Sequence, residues 1–107
     1  MKIAIIGQGY VGLTISAFAA DFFEVIGFDN NERIVRNLNQ GVSHIEGVES
    51  DLLEKNIKSG RYKATTKAAD MRGCEIVVIA VPTPLTQDRQ PDLTFIEAAC
   101  RTIGENI

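Results

Sequence analysis

The sequence predicts an α/β fold in which a parallel sheet of about four strands is flanked by helices. Apolar runs of strand length alternate with helical patterns along the chain, as in consecutive βαβ units. Two of these runs, Lys2 to Ile6 and Ile76 to Val81, are apolar almost throughout, which is typical of strands buried on both faces. A glycine-rich turn directly follows the first strand and leads into a helix.

The composition is that of one ordinary globular domain. The chain has 107 residues, of which 45% are hydrophobic and 23% are charged. A formal net charge of -3 argues against a nucleic-acid partner, which would need a basic surface. No apolar run approaches the roughly 18 residues of a membrane span, and no signal peptide is visible before the first strand. We therefore expect no membrane partner.

The two cysteines predict neither a metal site nor a disulfide framework. Cys74 and Cys100 are 26 residues apart and lack the spacing of metal ligands. We interpret them as reduced thiols that act as small hydrophobic residues, and we expect a cytoplasmic location.

The glycine turn has the spacing of a dinucleotide-binding site. Gly7 lets the chain turn sharply out of the strand, and Gly9 leaves space where a pyrophosphate would approach. Gly12 lets the next helix pack closely on the sheet. The first turn of that helix has unpaired N–H groups that bind a diphosphate. Three spaced glycines alone are weak evidence, because a tight turn without a ligand has the same pattern.

An acid at the end of the second strand strengthens this interpretation. The strand Glu24 to Phe28 is followed by Asp29, 17 residues after Gly12, where the Rossmann pattern places a carboxylate that binds the adenosine ribose. A carboxylate there disfavours the 2′-phosphate of NADP. Two like unit charges at hydrogen-bond range repel each other by about 4 kcal/mol at an effective dielectric constant near 20. We therefore predict NAD(H) as the cofactor, although Arg33 would offer a counter-charge if it reached the phosphate.

The helices are predicted from periodicity and end signals. In the first helix, Val11, Ile15, Phe18 and Phe22 form a stripe that we expect to face the sheet, while no glycine marks its end. Asn30 or Asn31 caps a second helix that ends near Gly41.

A loop over residues 42–47 holds His44, the only histidine, which is either solvated or a ligand. A third helix is predicted for 50–59, and a fourth begins at Leu93 or Thr94 and continues to Ile103.

The remaining elements complete the sheet. A strand is predicted for residues 61–66, then a connector for 68–73, the apolar strand 76–81 and a polar loop for 85–92. Right-handed crossovers arrange four strands in the order 3-2-1-4. The order reverses between strands one and four, and ligands bind in the crevice at such a point.

Pro82-Thr83-Pro84 follows the fourth strand and opens onto the same crevice. Flanking prolines would hold the Thr83 hydroxyl rigidly, where it could contact a ribose or phosphate of the cofactor. The alternative is a turn that merely ends the strand, and the sequence does not decide between the two.

Five segments together resemble the N-terminal NAD-binding domain of the UDP-glucose/GDP-mannose dehydrogenase family. The resemblance covers essentially the whole chain and is considerably more specific than the glycines alone. It is carried by Gly7-Gln8-Gly9-Tyr10-Val11-Gly12-Leu13, Gly27-Phe28-Asp29, Leu38-Asn39-Gln40-Gly41, Val81-Pro82-Thr83-Pro84-Leu85 and Pro91-Asp92-Leu93.

The resemblance implies an oxidoreductase of polysaccharide biosynthesis. The family oxidises the C6 alcohol of a nucleotide sugar to a carboxylate with two NAD⁺, through an aldehyde that a cysteine captures as a thioester. The loop around Ser43 to Glu46 is similar to the branch that acts on UDP-N-acetylhexosamines, so the implied substrate is a UDP-hexose or UDP-N-acetylhexosamine. The full-length protein is expected to be a homodimer.

Site residues follow by position. The resemblance places Tyr10 and Val11 at the pyrophosphate, Asp29 at the adenosine ribose and Thr83 along the cofactor. Val81 and Pro82 belong to the same motif. One departure is Ile34, where the family often has a basic residue, and Arg33 is one position earlier.

The second departure is length, because family members are several times longer. We expect residues 1–107 to be a partial NAD-binding Rossmann domain without the central helix and the sugar-nucleotide domain. The family's catalytic cysteine, lysine and asparagine lie in parts that are absent here, and Cys100 does not match the nucleophile's position. The site residues are therefore predicted to bind the cofactor, with none catalytic, and the chain alone is predicted to be inactive.

Two other functions remain open at this point. One is a regulatory Rossmann module that senses a nucleotide, although the Val81-Pro82-Thr83-Pro84 loop speaks against it. The other is a different NAD-linked alcohol or acyl dehydrogenase, since a shared fold does not determine the chemistry.

Overall fold

The computed structural model describes residues 1–45, 50–82 and 84–106, and its elements form a four-stranded parallel sheet in the order β3-β2-β1-β4. The fold class and the strand order are therefore as predicted. In chain order the elements are β1 (Lys2–Ile6), α1 (Tyr10–Ala19), β2 (Glu24–Phe28), α2 (Glu32–Asn39), α3 (Ser50–Lys58), β3 (Tyr62–Thr65), a 3₁₀ turn (Ala68–Met71), β4 (Ile76–Ile79) and α4 (Thr94–Asn106).

The core lies on both faces of the sheet. Strand β1 is central and pairs with β2 through Lys2–Glu24 to Ile6–Phe28, and with β4 through Ile3–Ile76 to Ile6–Ile79. One apolar cluster joins the sheet to α1, α2 and α3. The other joins it to the 3₁₀ turn and α4. Alternate residues of β1 enter opposite clusters, which is why its sequence is apolar without a break.

The face of α1 that packs on the sheet differs from the prediction. Its buried residues are Gly12, Leu13, Ser16 and Ala17, which are mostly small. The predicted stripe is wrong, because its members are exposed: Val11 58%, Ile15 38%, Phe18 53% and Phe22 78%. A helix that approaches the sheet this closely needs small side chains at the contact, so the larger apolar residues lie on the opposite side.

Side chains from elsewhere in the chain bind the end of α1, which no glycine marks. The Asn56 amide nitrogen donates to the Ala17 carbonyl at 3.1 Å and to Asp21 Oδ1 at 3.3 Å. The Arg61 guanidinium donates to the Asp21 carbonyl. These bonds satisfy carbonyls near the helix end that a glycine motif would otherwise serve.

The two edges of the sheet differ in how they are covered. At the β3 edge, the Asn39 side chain accepts from the Ala64 amide and donates to the Ala64 carbonyl, both at 2.9 Å. The other edge strand, β4, was predicted to be strongly buried, and this is wrong. Ile76 is 43% exposed and Ile79 is 37% exposed, because no described element flanks β4 on its outer side.

The helix ends agree with the predicted signals. Asn31 is the N-cap of α2, and its Oδ1 accepts hydrogen bonds from the Arg33 and Ile34 amides. Gly41 and Gly60 follow the ends of α2 and α3, respectively. Helix α4 begins at Thr94 and extends three residues beyond the predicted Ile103, to Asn106.

Candidate functional site

The glycine turn between β1 and α1 depends on close backbone approaches. Gly7 has φ +95°, and its amide donates to the Phe28 carbonyl at 2.7 Å. A Cβ on Gly7 would lie 2.6 Å from the Ala80 carbonyl oxygen, and one on Gly12 would overlap the Gly7 carbonyl oxygen. Gly12 therefore brings the helix against the turn itself. By contrast, a Cβ on Gly9 would meet no atom of the described residues within 4 Å, so this part of the turn is open with respect to them.

The N-terminus of α1 is available to an anion. Gly9 is the N-cap, and no side chain in the described part of the chain caps the helix. The first turn, Tyr10 to Leu13, carries no acidic residue. Unpaired N–H groups and the positive end of the helix dipole are what a diphosphate binds.

Asp29 lies beside this turn, at the tip of β2. Its Oδ2 accepts a hydrogen bond from the Gln8 amide at 2.9 Å, and its Oδ1 accepts one from the Asn31 amide at 2.9 Å. The carboxylate thus has a fixed orientation. An ionised carboxylate has about four lone-pair positions, so Asp29 retains acceptor capacity for hydroxyl groups of a ligand.

Two adjoining cavities lie at the carboxyl ends of the strands. The first, of about 340 Å³, is bounded by Ile6, Gly7, Phe28, Asp29, Asn30, Asn31, Val81, Pro82 and Phe95. The second, of about 380 Å³, is bounded by Gly9, Tyr10, Val11, Ala80, Val81 and Pro82. The shared residues Val81 and Pro82 follow β4, so the cavities meet where the strand order reverses.

Most of the predicted site residues border these cavities. Gly7 and Asp29 border the first, Gly9, Tyr10 and Val11 border the second, and Val81 and Pro82 border both. Gly12 is buried behind the turn and acts in packing. Thr83 lies outside the described residues.

Arg33 is not brought to either cavity in the described structure. It is an exposed residue of the first turn of α2, and its amide donates to Asn31 Oδ1. Ile34 packs against the core cluster shared with α1 and α3, so this position faces away from the cavities.

Sequence reasoning missed the aromatic side chains of the first cavity. Phe28 and Phe95 are both on its boundary, with Phe95 contributed by the first turn of α4. Phe95 is 47% exposed although it is a large apolar residue. The position of Phe95 just after the loop that follows β4 was the available signal, because that loop was expected to open onto the crevice.

His44 is placed at the back of the glycine turn. Its Nε2 lies 2.9 Å from the Gln8 carbonyl oxygen and donates to it in the tautomer that carries the Nε2 proton. The sequence left His44 as either solvated or a ligand. In the structure it is an exposed residue that bonds the protein's own backbone.

Tyr62 lies beneath the same turn. It is 2% exposed, and its hydroxyl donates to Gln8 Oε1 at 2.8 Å. Burial raises the pKa of the Tyr62 phenol well above its usual value, and the nearby Asp29 charge raises it further. The phenol therefore remains a hydrogen-bond donor at all physiological pH values.

The described residues offer no site for a metal ion, since no three His, Cys, Asp or Glu side chains cluster among them. Both cysteines are free, Cys74 buried and Cys100 exposed. In the described ranges, no helix has the length and apolar character to cross a membrane.

The site fits an adenine dinucleotide in its donors and its shape. The open space at Gly9 and the uncapped α1 N-terminus suit a diphosphate, and the oriented Asp29 carboxylate suits a ribose. The first cavity is large enough for a nucleoside and has apolar walls from Phe28 and Phe95.

Comparison with known proteins identifies a family with an NAD-binding domain. The sequence model described as the UDP-glucose/GDP-mannose dehydrogenase family, NAD binding domain, matches residues 1–107. A UDP-N-acetyl-D-mannosamine dehydrogenase from Pyrococcus horikoshii is 39% identical over 107 residues, which cover 98% of this chain and 25% of the relative.

Solved structures agree with the sequence comparison. The UDP-D-ManNAc dehydrogenase structure from Pyrococcus horikoshii matches with a TM-score of 0.92 and 37% identity, over 100% of this chain and 26% of that one. A ternary complex of GDP-mannose dehydrogenase from Pseudomonas aeruginosa matches with a TM-score of 0.92 and 34% identity, over 97% and 24%. The chain thus spans about a quarter of the length of the relatives it matches.

Proposed function

The chain belongs to the UDP-glucose/GDP-mannose dehydrogenase family, whose NAD binding domain it matches, and on this premise we propose that it is the cofactor-binding part of a nucleotide-sugar 6-dehydrogenase. The proposed substrate of the full-length protein is a UDP-hexose or UDP-N-acetylhexosamine. Support for the N-acetylated sugar comes from the Pyrococcus horikoshii relative, whose name gives UDP-N-acetyl-D-mannosamine as its substrate.

We propose that residues 1–107 bind the cofactor and do not turn over substrate by themselves. When bound, NAD⁺ supplies the hydride acceptor for oxidation of the sugar alcohol. The described residues around the two cavities bind and orient the cofactor. We propose that they belong to a larger NAD-binding domain, because the chain spans only about a quarter of its relatives.

Each site residue has a proposed role. Gly9, Tyr10 and Val11 present the start of α1 to the diphosphate, while Gly7 shapes the turn and Gly12 supports it. Asp29 accepts hydrogen bonds from the adenosine ribose.

On the other wall of the crevice, Val81 and Pro82 contact the cofactor where the two cavities meet. The Thr83 hydroxyl is proposed to extend this contact, on the strength of its place in the motif. Arg33 is proposed to contribute only a longer-range charge, since it is an exposed residue of α2 that borders neither cavity.

A single observation carries the proposal: the Gln8 amide joins the glycine turn to the Asp29 carboxylate at the crevice where the strand order reverses. This bond holds the glycine turn and the Asp29 carboxylate side by side, which supports a diphosphate and a ribose binding next to each other. The combination of a helix start that no described side chain caps with an oriented carboxylate beside it favours a dinucleotide site over a tight turn without a ligand.

Titration of NADH into the 107-residue chain tests the proposal, with binding followed by nicotinamide fluorescence and by calorimetry. We expect saturable binding, and we expect a crystal soaked with NAD to show the diphosphate against the glycine turn. Absence of binding, or a diphosphate elsewhere, would overturn the assignment. We also expect no NADH production from NAD⁺ and UDP-sugars with this chain alone.

The proposed setting is the cytoplasm, supported by the two free cysteines. The proposed partners are NAD(H), the UDP-sugar and, in the full-length protein, a second copy in a homodimer. Neither a nucleic acid nor a membrane is proposed as a partner, in keeping with the net charge of -3.

A further inference from the structure

Gln8 occupies the variable position between the first two glycines, yet it is completely buried, at 0% exposure. Each of its polar groups has a partner. The backbone amide donates to Asp29, and the backbone carbonyl lies within hydrogen-bond distance of His44 Nε2. The side-chain nitrogen donates to the carbonyls of Ile5 at 3.2 Å and Gly7 at 3.1 Å.

The side-chain oxygen of Gln8 accepts a hydrogen bond from a residue of the edge strand β3. Strand β3 is separated from β1 by β2, and Tyr62 at the start of β3 donates its hydroxyl to Gln8 Oε1 at 2.8 Å. This bond joins residues that are 54 positions apart in the sequence. It also determines which way the amide points, because the nitrogen must then face the carbonyls of β1 and the turn.

Gly27 in β2 makes room for this bond. A Cβ at Gly27 would lie 2.5 Å from Gln8 Oε1 and 2.9 Å from the Tyr62 hydroxyl. Glycine normally weakens the interior of a strand, so its presence here indicates a close approach. The approach is that of the Gln8 and Tyr62 side chains across β2.

We infer that Gln8 and Tyr62 act as positioning residues for the glycine turn: Tyr62 holds the Gln8 side chain, and Gln8 holds the turn in the shape that receives a diphosphate. Neither side chain borders the two cavities, so both act through the backbone of the turn. The inference rests on the proposed dinucleotide site for its consequence in binding. Its consequence for the free protein does not depend on any ligand.

The first test measures the turn without a ligand, by amide hydrogen exchange in NMR spectra of the 107-residue chain. The Gly7 and Gln8 amides, bonded to Phe28 and Asp29, report opening of the turn. Tyr62→Phe removes only the hydroxyl. We expect the protection of these two amides to fall about tenfold more than that of the Ile5 amide in β1, because a buried acceptor loses its partner.

Thr65→Val is the matched control for this measurement. It removes another hydroxyl from β3, one that bonds Asp70 instead of Gln8. We expect it to lower protection of the turn and of β1 by the same factor. An equal, uniform loss of protection in Tyr62→Phe would overturn the inference.

The second test compares two ligands. ADP-ribose requires the diphosphate site, whereas adenosine requires only the first cavity. Tyr62→Phe is expected to raise the Kd for ADP-ribose about threefold to tenfold, because a smaller fraction of the free protein has the binding-competent turn. The Kd for adenosine is expected to stay within about twofold, because the Asn31 amide still donates to Asp29 Oδ1 and keeps the carboxylate oriented when the turn opens. Equal changes for the two ligands, or none, would contradict the inference.

A double-variant measurement checks that the two residues act as a unit. Gln8→Met removes the acceptor of the Tyr62 hydroxyl, so adding Tyr62→Phe should change the exchange of the Gly7 amide no further. Additive effects would overturn the pairing. If the wild-type chain binds neither ligand, the proposed function fails, and the exchange measurements still decide whether Gln8 and Tyr62 position the turn.

Discussion

The Gln8 amide donates a hydrogen bond to Asp29 Oδ2 at 2.9 Å, across 21 residues of sequence. This bond ties the turn after β1 to the tip of β2, so the proposed sites for diphosphate and ribose are built as one unit. It also gives the Asp29 carboxylate a structural role in addition to its proposed contact with the cofactor. Substitutions of Asp29 therefore have to separate charge from hydrogen bonding.

Replacing Asp29 with asparagine is expected to reduce the discrimination between NADH and NADPH. The wild-type carboxylate is expected to favour NADH by more than about tenfold, because it repels a 2′-phosphate. Asparagine keeps one oxygen for the Gln8 amide, gives up the bond from the Asn31 amide and removes the charge, so the ratio of the two Kd values should approach one. Fluorescence titrations with both cofactors measure this ratio.

Asp51→Asn is the control for that measurement, since it removes the same charge from an exposed residue of α3. It should leave the ratio unchanged. Equal wild-type affinities for NADH and NADPH would remove Asp29 from the proposed role.

Gly12→Ala is expected to destabilise the protein and to displace the glycine turn. The added Cβ would overlap the Gly7 carbonyl oxygen, which belongs to the backbone and cannot simply rotate away. The expected loss is about 1–3 kcal/mol in the free energy of unfolding, together with loss of NADH binding. Urea denaturation and NADH titration measure the two effects.

Gly104→Ala provides the contrast within another helix, because a Cβ there would meet no atom within 4 Å in the part of the chain that the structure describes. Alanine has the higher helix propensity, so this variant should gain up to about 1 kcal/mol in stability. Similar losses in both variants would show that the contact with Gly7 is not the cause.

The stability of the protein is expected to fall above about pH 10 because of Tyr62. In the unfolded chain the phenol ionises near pH 10, whereas burial raises its pKa in the folded protein. The folded state therefore keeps a proton that the unfolded state has lost. The free energy of unfolding should decrease with rising pH by at most about 1.4 kcal/mol per pH unit from this group.

Urea denaturation at several alkaline pH values, for the wild type and Tyr62→Phe, isolates this contribution. Below about pH 9 the difference between the two proteins should be constant, since the phenol is protonated in both states. Above pH 10 the difference should shrink as the wild type loses its advantage. Parallel pH profiles would mean that Tyr62 ionises in the folded state as it does in the unfolded chain.

Substitutions on the buried face of α1 are expected to destabilise the protein much more than substitutions on its exposed face. Leu13 is fully buried against the sheet, so Leu13→Ala should cost about 2–5 kcal/mol in the free energy of unfolding. Phe18 is 53% exposed on the opposite face, so Phe18→Ser should change stability by about 0.5 kcal/mol or less. Thermal or urea denaturation measures both changes. A loss of stability for Phe18→Ser as large as that for Leu13→Ala would mean that the predicted stripe is part of the core after all.

The sequence alone determined the features that depend on local chemistry. The unbroken apolar run of β1, the cap at Asn31 and the glycine after α2 each act within a few residues, so their patterns could be recognised directly. The strand order 3-2-1-4 followed as well, because right-handed crossovers leave few alternatives. The glycine spacing and the acid at the end of β2 are also local patterns, and they could be recognised in the sequence as the candidate site.

Only the tertiary structure decided which groups meet across the sheet. The inward face of α1 is determined by how closely the helix approaches β1, and the exposure of β4 is determined by its position at the edge. Nothing near Gln8 in the sequence indicates Tyr62, since their bond spans 54 positions and depends on the space left by Gly27. Such contacts arise from packing between distant segments, which local propensity and periodicity do not encode.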